Sequence, residues 1–299
     1  MTHDLWISLC LWQRSPGAGP YRPLMLDLLQ IPGVLAWRDL QDRAQDRGWR
    51  LPNLEELASL EEAETLRRSL SSSLRRGWHL LTPVDDDYPS RLLKGMDPPL
   101  CLTVAGSLDV LHEPAVSVVG SREATVESLL WMEQELGEFL SKTKTVLVSG
   151  GARGVDQKAH SLALRNSCPT IAFLPSGLDC LYPPDLADWV TAIVDGGGAL
   201  VSEYPNSLRM ARQNFHQRNR LIAAQGLSTL IVEARPRSGT LITATRAAEI
   251  GRSLWVVPGH PQKTSHGGNL QLLAEGATMV RHAEDLILFW QIEKEQVFL

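Results

Sequence analysis

Beyond Trp78 the chain alternates short β-branched and aliphatic runs with longer amphipathic stretches. The runs Ala115 to Val119, Thr145 to Val148, Thr170 to Leu174, Ala199 to Val201, Thr229 to Val232 and Leu254 to Val257 predict strands. Between them, Thr125 to Leu140, Val155 to Arg165, Pro184 to Ile193, Arg218 to Ala224, Leu241 to Ile250 and Gly268 to Leu273 predict helices. Near-continuous apolar strands alternating with helices are the pattern of βαβ units, so the expected fold is α/β with a doubly wound parallel sheet. Ahead of Trp78 the spacing is helical, in Tyr21 to Leu29, Leu35 to Arg47 and Leu54 to Leu70, with breaks at Pro32-Gly33 and Pro52-Asn53. The expected organisation is a small all-helical domain over residues 1–77, a sheet domain over 78–290 and a short tail over 291–299. Trp6, Trp12, Trp37, Trp49 and Trp78 are read as core of the helical part.

At 299 residues, 43% hydrophobic and 21% charged, the composition is that of an ordinary globular protein and excludes collagen, coiled coil and wholesale disorder. No run approaches the roughly 20 apolar residues of a membrane span, and no leader pattern precedes Leu5–Trp12, so a cytoplasmic protein with no membrane partner is expected. Cys10, Cys101, Cys168 and Cys180 form no C-x-x-C pair, which favours buried free thiols over a zinc site or a disulfide framework. The net charge of -5 conceals a segregation. Between Pro205 and Lys263 nine basic residues face only Glu233 and Glu249, which fits an anionic ligand on one face.

In a doubly wound sheet, ligands sit beyond the carboxyl ends of the strands. The turns there are small and polar: Gly120-Ser121-Arg122, Ser149-Gly150-Gly151-Ala152-Arg153-Gly154, Pro175-Ser176-Gly177 and Ser202-Glu203. Glycine at such a turn lets backbone N–H groups approach an anion, and the following helix adds a partial positive charge. Phosphate is the expected guest. Neither G-x-G-x-x-G nor G-x-x-x-x-G-K-[ST] is present, so no dinucleotide fingerprint or P-loop, and no cofactor, is read here.

The ordered series Gly120-Ser121-Arg122, Ser149 to Asp156 with Ala159-His160, Gly177-Leu178-Asp179 with Tyr182-Pro183, Ser202 to Pro205, Asn214-Phe215 with Arg218 to Ala223, Val232-Glu233-Ala234 and Ser238 to Ala244 resembles the DNA-processing protein A family (DprA, also called Smf). Asp85 to Pro89, Asp97-Pro98-Pro99 and Val257-Pro258-Gly259 extend the resemblance from about Trp78 to Leu288. It implies a non-enzymatic, extended Rossmann-like domain that binds single-stranded DNA in a basic pocket, forms a homodimer and hands the strand to the RecA recombinase in natural transformation. On the matching positions it implies contacts from Gly120, Ser121 and Arg122, from Ser149, Gly150, Gly151, Arg153 and Gly154, from Arg218, Asn219 and Arg220, and from Ser238, Gly239, Thr240 and Thr243. The chemistry agrees, since a single strand is held by a cationic groove with stacking surfaces.

Three details depart from the family, one being the short tail after Leu288, which is expected to hold no winged-helix module. Pro184-Asp185 stands where a basic residue is expected, and the Ile31-Pro32-Gly33 turn lacks a second nearby glycine. Arg218 or Arg220 alternatively serves a structural ion pair with Glu203 or Glu233. Asp156 and His160, one helical turn apart, are read as satisfying hydrogen bonds rather than as an acid/base pair. Two rival readings stand beside the first: a nucleotide-binding sensor, and a phosphoribohydrolase of the related Rossmann-like group. The second lacks its usual glutamate, since Ile242, Thr243 and Ala244 follow the Gly239-Thr240 turn.

Overall fold

The computed structural model describes residues 3–15, 18, 21–31, 33–34, 36–95 and 97–297. Pro32, in a predicted break, Leu35, at the start of a predicted helix, and Phe298-Leu299, at the end of the expected tail, lie outside the described residues. The chain divides into two compact units: Met1–Ala105 with Ser176–Cys180 and Val201–Arg209, and Gly106–Pro175 with Leu181–Leu200 and Met210–Leu299.

The first unit holds α1 (His3–Trp12), α2 (Arg22–Leu29), α3 (Trp37–Asp46), α4 (Leu54–Leu57) and α5 (Leu60–Arg75). Ser59 divides the predicted Leu54–Leu70 helix in two, because its side chain accepts from the Glu62 N–H and starts α5 afresh in a capping box. Helix α1 is buried nearly all round. Leu5, Leu9 and Trp12 join Met25, Leu28, Trp37 and Leu40 in one core cluster, while Trp6, Ile7 and Cys10 join Leu66 and Leu70 in another. Trp6, Trp12 and Trp37 are therefore core residues, and Trp49 and Trp78 are half-buried. The unit continues into β1 (His79–Leu81), antiparallel to β2 (Leu102–Gly106).

The second unit is built on β3 (Ala115–Val119), α6 (Val126–Trp131), α7 (Gly137–Thr143), β4 (Val146–Ser149), α8 (Val155–Arg165), β5 (Thr170–Phe173), α9 (Val190–Asp195), the first half of β6 (Ala199–Ser202), α10 (Arg212–Gln225), β7 (Ser228–Ile231), α11 (Gly239–Glu249), β8 (Ser253–Val256), α12 (Gly267–Ala274), β9 (Thr278–Met279) and α13 (Ala283–Val297). A π-helical turn, Met132–Leu136, joins α6 to α7. Its strands run in the order β5-β4-β3-β7-β8-β9, and every adjacent pair is parallel. The predicted α/β, doubly wound sheet is present, with Val116, Val118, Leu147, Leu230 and Trp255 in a core shared with Phe139, Leu162 and Trp290. From β3 the chain winds one way through β4 and β5, and from β7 the other way through β8 and β9. The order reverses between β3 and β7, the crevice where such sheets receive ligands. Cys10, Cys101 and Cys168 are buried free thiols, whereas Cys180 is only half-buried. Among the described residues no helix is long and apolar enough to cross a membrane.

Candidate nucleic-acid interface

A cavity of about 650 Å³ opens at the β3/β7 switch point. Its walls come from the turn after β3 (Gly120 to Glu123), from Ala152 and Asp156 beside β4, from the first three turns of α10, and from the segment after β7 (Arg235 to Thr243). Five arginines line it, Arg122, Arg212, Arg218, Arg235 and Arg237, against two carboxylates, Glu123 and Asp156. The basic segregation seen in the sequence thus converges on one concave surface, which focuses positive potential there.

Helix α10 contributes the aromatic floor. It begins at Arg212, six residues before the predicted start, so that Arg212, Phe215 and Asn219 share one face of it. The Arg122 guanidinium lies 4.4 Å from the centroid of the Phe215 ring, and Tyr182 meets the same ring edge-on at 5.6 Å. The result is a stacked cation and aromatic pair facing a cavity, with Arg122 itself exposed.

The residues expected to bind phosphate separate into two groups. Gly120, Ser121, Arg122, Arg218, Asn219, Ser238, Gly239, Thr240 and Thr243 line the cavity; Ser149, Gly150, Gly151, Arg153, Gly154 and Arg220 do not. Apart from Ala152, which reaches the cavity wall, the Ser149–Gly154 turn is a buttress. Ser149 is fully buried and donates to the Val118 carbonyl at 2.7 Å. Gly154, at φ +80°, lies so close under the Ser121 and Arg122 carbonyls that any Cβ would collide with them, and the next amide, Val155, donates to Ser121 O at 3.1 Å. Glycine is required there because backbone packs on backbone beneath Arg122. Arg153 is drawn aside by Asp185, 3.4 Å away, which also accepts from Gln157. The acid standing where a basic residue is expected therefore engages a neighbouring cation. Arg220 is half-buried off the cavity wall.

Arg218 borders the cavity but is 2% exposed, and its Nη1 donates to the carbonyl oxygens of Gly150, at 2.5 Å, and of Phe173. It ties the ends of β4 and β5 together. Asn219 donates to Gly239 O at 3.3 Å and Asn214 to Pro175 O at 2.9 Å, so both brace turns. Beneath them Asp156 accepts from the Ala152 N–H. Burial raises Asp156 to about 6 against the opposing pull of the Arg218 charge. His160, whose Nδ1 lies 2.7 Å from Thr170 Oγ1, is lowered to about 3 by burial and by the same cation. Asp156 and His160 are thus held in separate hydrogen bonds, as expected of a structural pair.

A second buried carboxylate fixes the Arg122 turn from above. Glu233 Oε2 accepts from Thr125 N at 2.9 Å, Thr125 Oγ1 at 2.7 Å and Ser128 Oγ at 2.7 Å. Burial alone pushes Glu233 upward, yet these donors hold it below the ordinary carboxylate range. Ser238 Oγ is buried at the cavity wall without a hydrogen-bond partner among the described residues.

Sequence reasoning did not place Arg212, His216, Arg235, Arg237 or Asp156 in the site. Phe215 was visible only as part of a motif. The one signal available was the density of basic residues after Pro205.

A family profile described as DNA recombination-mediator protein A matches residues 79–291. Protein Smf of Escherichia coli K12 is 36% identical over 229 residues, covering 74% of this chain and 60% of that protein. DNA processing protein DprA of Streptococcus pneumoniae R6 is 36% identical over 208 residues, covering 68% of this chain and 71% of the relative. The chain spans between half and three quarters of the length of the curated relatives it matches. The X-ray structure of the S. pneumoniae protein superposes with a TM-score of 0.69 at 29% identity, over 90% of this chain and 96% of that one. A structure of DNA processing protein A from Helicobacter pylori, described for its single-stranded DNA binding mode, superposes at 0.63 and 28% identity over 72% and 96%. With the profile spanning most of the chain and the fold shared, this chain belongs to the DNA recombination-mediator protein A family, the DprA/Smf proteins.

Proposed function

We propose that the cavity at the β3/β7 switch point binds single-stranded DNA, and that the chain acts as a binding protein rather than an enzyme. The observation that carries this is Arg122 stacked on Phe215 at the mouth of an arginine-lined cavity. Guanidinium groups take phosphates, and a ring shared by Arg122 and Tyr182 offers unpaired bases a stacking platform. The Gly120-Ser121 amides and the Ser238–Thr243 turn complete the polar rim, while the Ser149–Gly154 turn and Arg218 serve the site by positioning it. Duplex bases cannot reach such a platform without unstacking. In the same reading the partners are a second copy of this chain and the RecA recombinase, the strand is cytoplasmic DNA undergoing recombination or natural transformation, and residues 1–77 form an accessory helical module. Against the phosphoribohydrolase alternative, the α11 wall carries Thr240, Ile242 and Thr243 and no carboxylate.

Anisotropy titration of a labelled oligothymidine across salt concentrations tests the reading. Affinity is expected to fall with salt at roughly −0.7 in the log–log slope per phosphate contacted. Arg122→Ala is expected to weaken binding by about 10-fold or more, the value of a lost charge-assisted contact, and to flatten that slope. Absent or salt-independent binding, equal affinity for duplex, or release of free base from a nucleoside monophosphate would each overturn it.

A further inference from the structure

We infer that Glu123 is an internal counter-ion for Arg235, holding in reserve a phosphate-binding arginine that an incoming strand takes over. This rests on the strand-binding reading above and assigns to that site two residues that set its affinity and its preference for chains over single nucleotides. Arg235 Nη2 lies 3.3 Å from Glu123 Oε2, and both residues line the cavity. One stands on the turn after β3 and the other on the turn after β7, so the pair faces itself across the switch-point crevice.

Both side chains are open to water, at 55% exposure for Arg235 and 80% for Glu123, whereas the backbones that carry them are fixed. The Glu123 N–H donates to Ser121 Oγ at 3.2 Å, and Thr125, two residues on, is bound to the buried Glu233 carboxylate. Ala234, beside Arg235, donates its N–H to Asn269 Oδ1 at 2.7 Å and accepts from the Gly268 N–H at 2.8 Å. The side chains can exchange partners while their anchors stay in place. Arg218 has no such freedom, being buried against carbonyls.

An exposed ion pair is weak, so replacing the carboxylate by a phosphate costs little. The carboxylate is tethered, however, and competes at a high effective concentration. A free monoanion displaces it poorly. A strand already anchored at Arg122 brings its next phosphate to Arg235 at a comparable effective concentration and displaces it readily.

The test is a double-mutant cycle read by oligothymidine anisotropy, with Glu123→Gln, Arg235→Gln, the double variant, and Glu127→Gln as the charge-matched control. Glu127 bonds Lys263 at 2.6 Å and does not line the cavity. Glu123→Gln is expected to tighten binding roughly two- to fivefold, and Arg235→Gln to weaken it and flatten the salt slope by about 0.7. In the Arg235→Gln background, Glu123→Gln is expected to change little. The inference is overturned if Glu123→Gln leaves affinity unchanged, if Glu127→Gln tightens binding equally, or if the tightening survives without Arg235. A wild-type protein that binds no strand overturns the strand reading and this inference together; one that binds with Glu123→Gln inert overturns the counter-ion alone.

Discussion

Arg122 and Arg218 are equivalent candidates by sequence, and the structure separates them sharply enough to be tested. Replacing Arg218 with Met keeps most of the volume and removes the cation. Two carbonyls, on Gly150 and Phe173, then lose a charged donor inside the protein, at a cost of roughly 1.5–3 kcal/mol per bond. Asp156 loses the neighbouring charge that favours its ionised form. The desolvation of the buried guanidinium is recovered, which offsets part of the loss, so breaking this arrangement should cost about 3–5 kcal/mol. That is a large share of the roughly 5–15 kcal/mol that stabilises a typical domain. Urea unfolding followed by circular dichroism is the assay, with a lowered midpoint at an unchanged m-value. Arg122→Ala serves as the contrast, with binding weakened about 10-fold or more and the midpoint almost unmoved, because its side chain is exposed on Phe215. If Arg218→Met keeps the wild-type midpoint while strand binding disappears, Arg218 contacts ligand rather than backbone and the division of the site drawn above is wrong.

Two further outcomes follow from the same geometry. His160 is lowered to about 3 and Asp156 raised to about 6, so their linkages oppose one another: the stability tied to neutral His160 is lost as pH falls from 6.5 towards 3, whereas that tied to protonated Asp156 is present at low pH and lost as pH rises through 6. Subtracting a His160→Gln variant from wild type isolates the first, and urea melts should show that difference moving against wild type by about 1.4 kcal/mol per pH unit between 6 and 4; a flat difference would mean that His160 takes up its proton in the folded state. Phe215→Leu should weaken oligothymidine binding by roughly 1–3 kcal/mol through lost stacking while leaving the salt slope intact; a flattened slope would show that the ring acts only by holding Arg122.

How much of this was legible in the sequence depends on where each element finds its partners. Strand β3 and helix α8 match their predicted bounds because a short apolar run between Pro114 and the Gly120 turn, or an apolar face at helical spacing, carries its own signature. Helix α1 was not drawn from the Leu5–Trp12 run because a segment buried on every side has no polar face to set a period. The opposite problem hid the first half of α10. Arg212 to Gln217 is polar apart from Phe215, and its helical state comes from packing beside the sheet rather than from local preference. Misplacing that start by six residues removed Arg212, Phe215 and His216 from the predicted face, and with them the stacking floor of the cavity.

The glycine turns show a deeper reason why a site cannot be read residue by residue. Gly120-Ser121 and Ser149–Gly154 look alike as strand-to-helix turns, and either could present amides to phosphate. What distinguishes them is which one lies on top. Gly154 and Val155 spend their close approach and their N–H on the Ser121–Arg122 backbone, and Glu233 grips the same turn through Thr125, more than a hundred residues away in sequence. The two motifs therefore form one device, a lower turn and a buried carboxylate that together hold Arg122 over Phe215. Asp185 enters in the same way, since its meaning depends on Arg153 lying 3.4 Å off. A Gly154→Ala change, though Gly154 does not itself line the cavity, would push on the Arg122 carbonyl directly, and so the motif's spacing reports the support of the Arg122 turn.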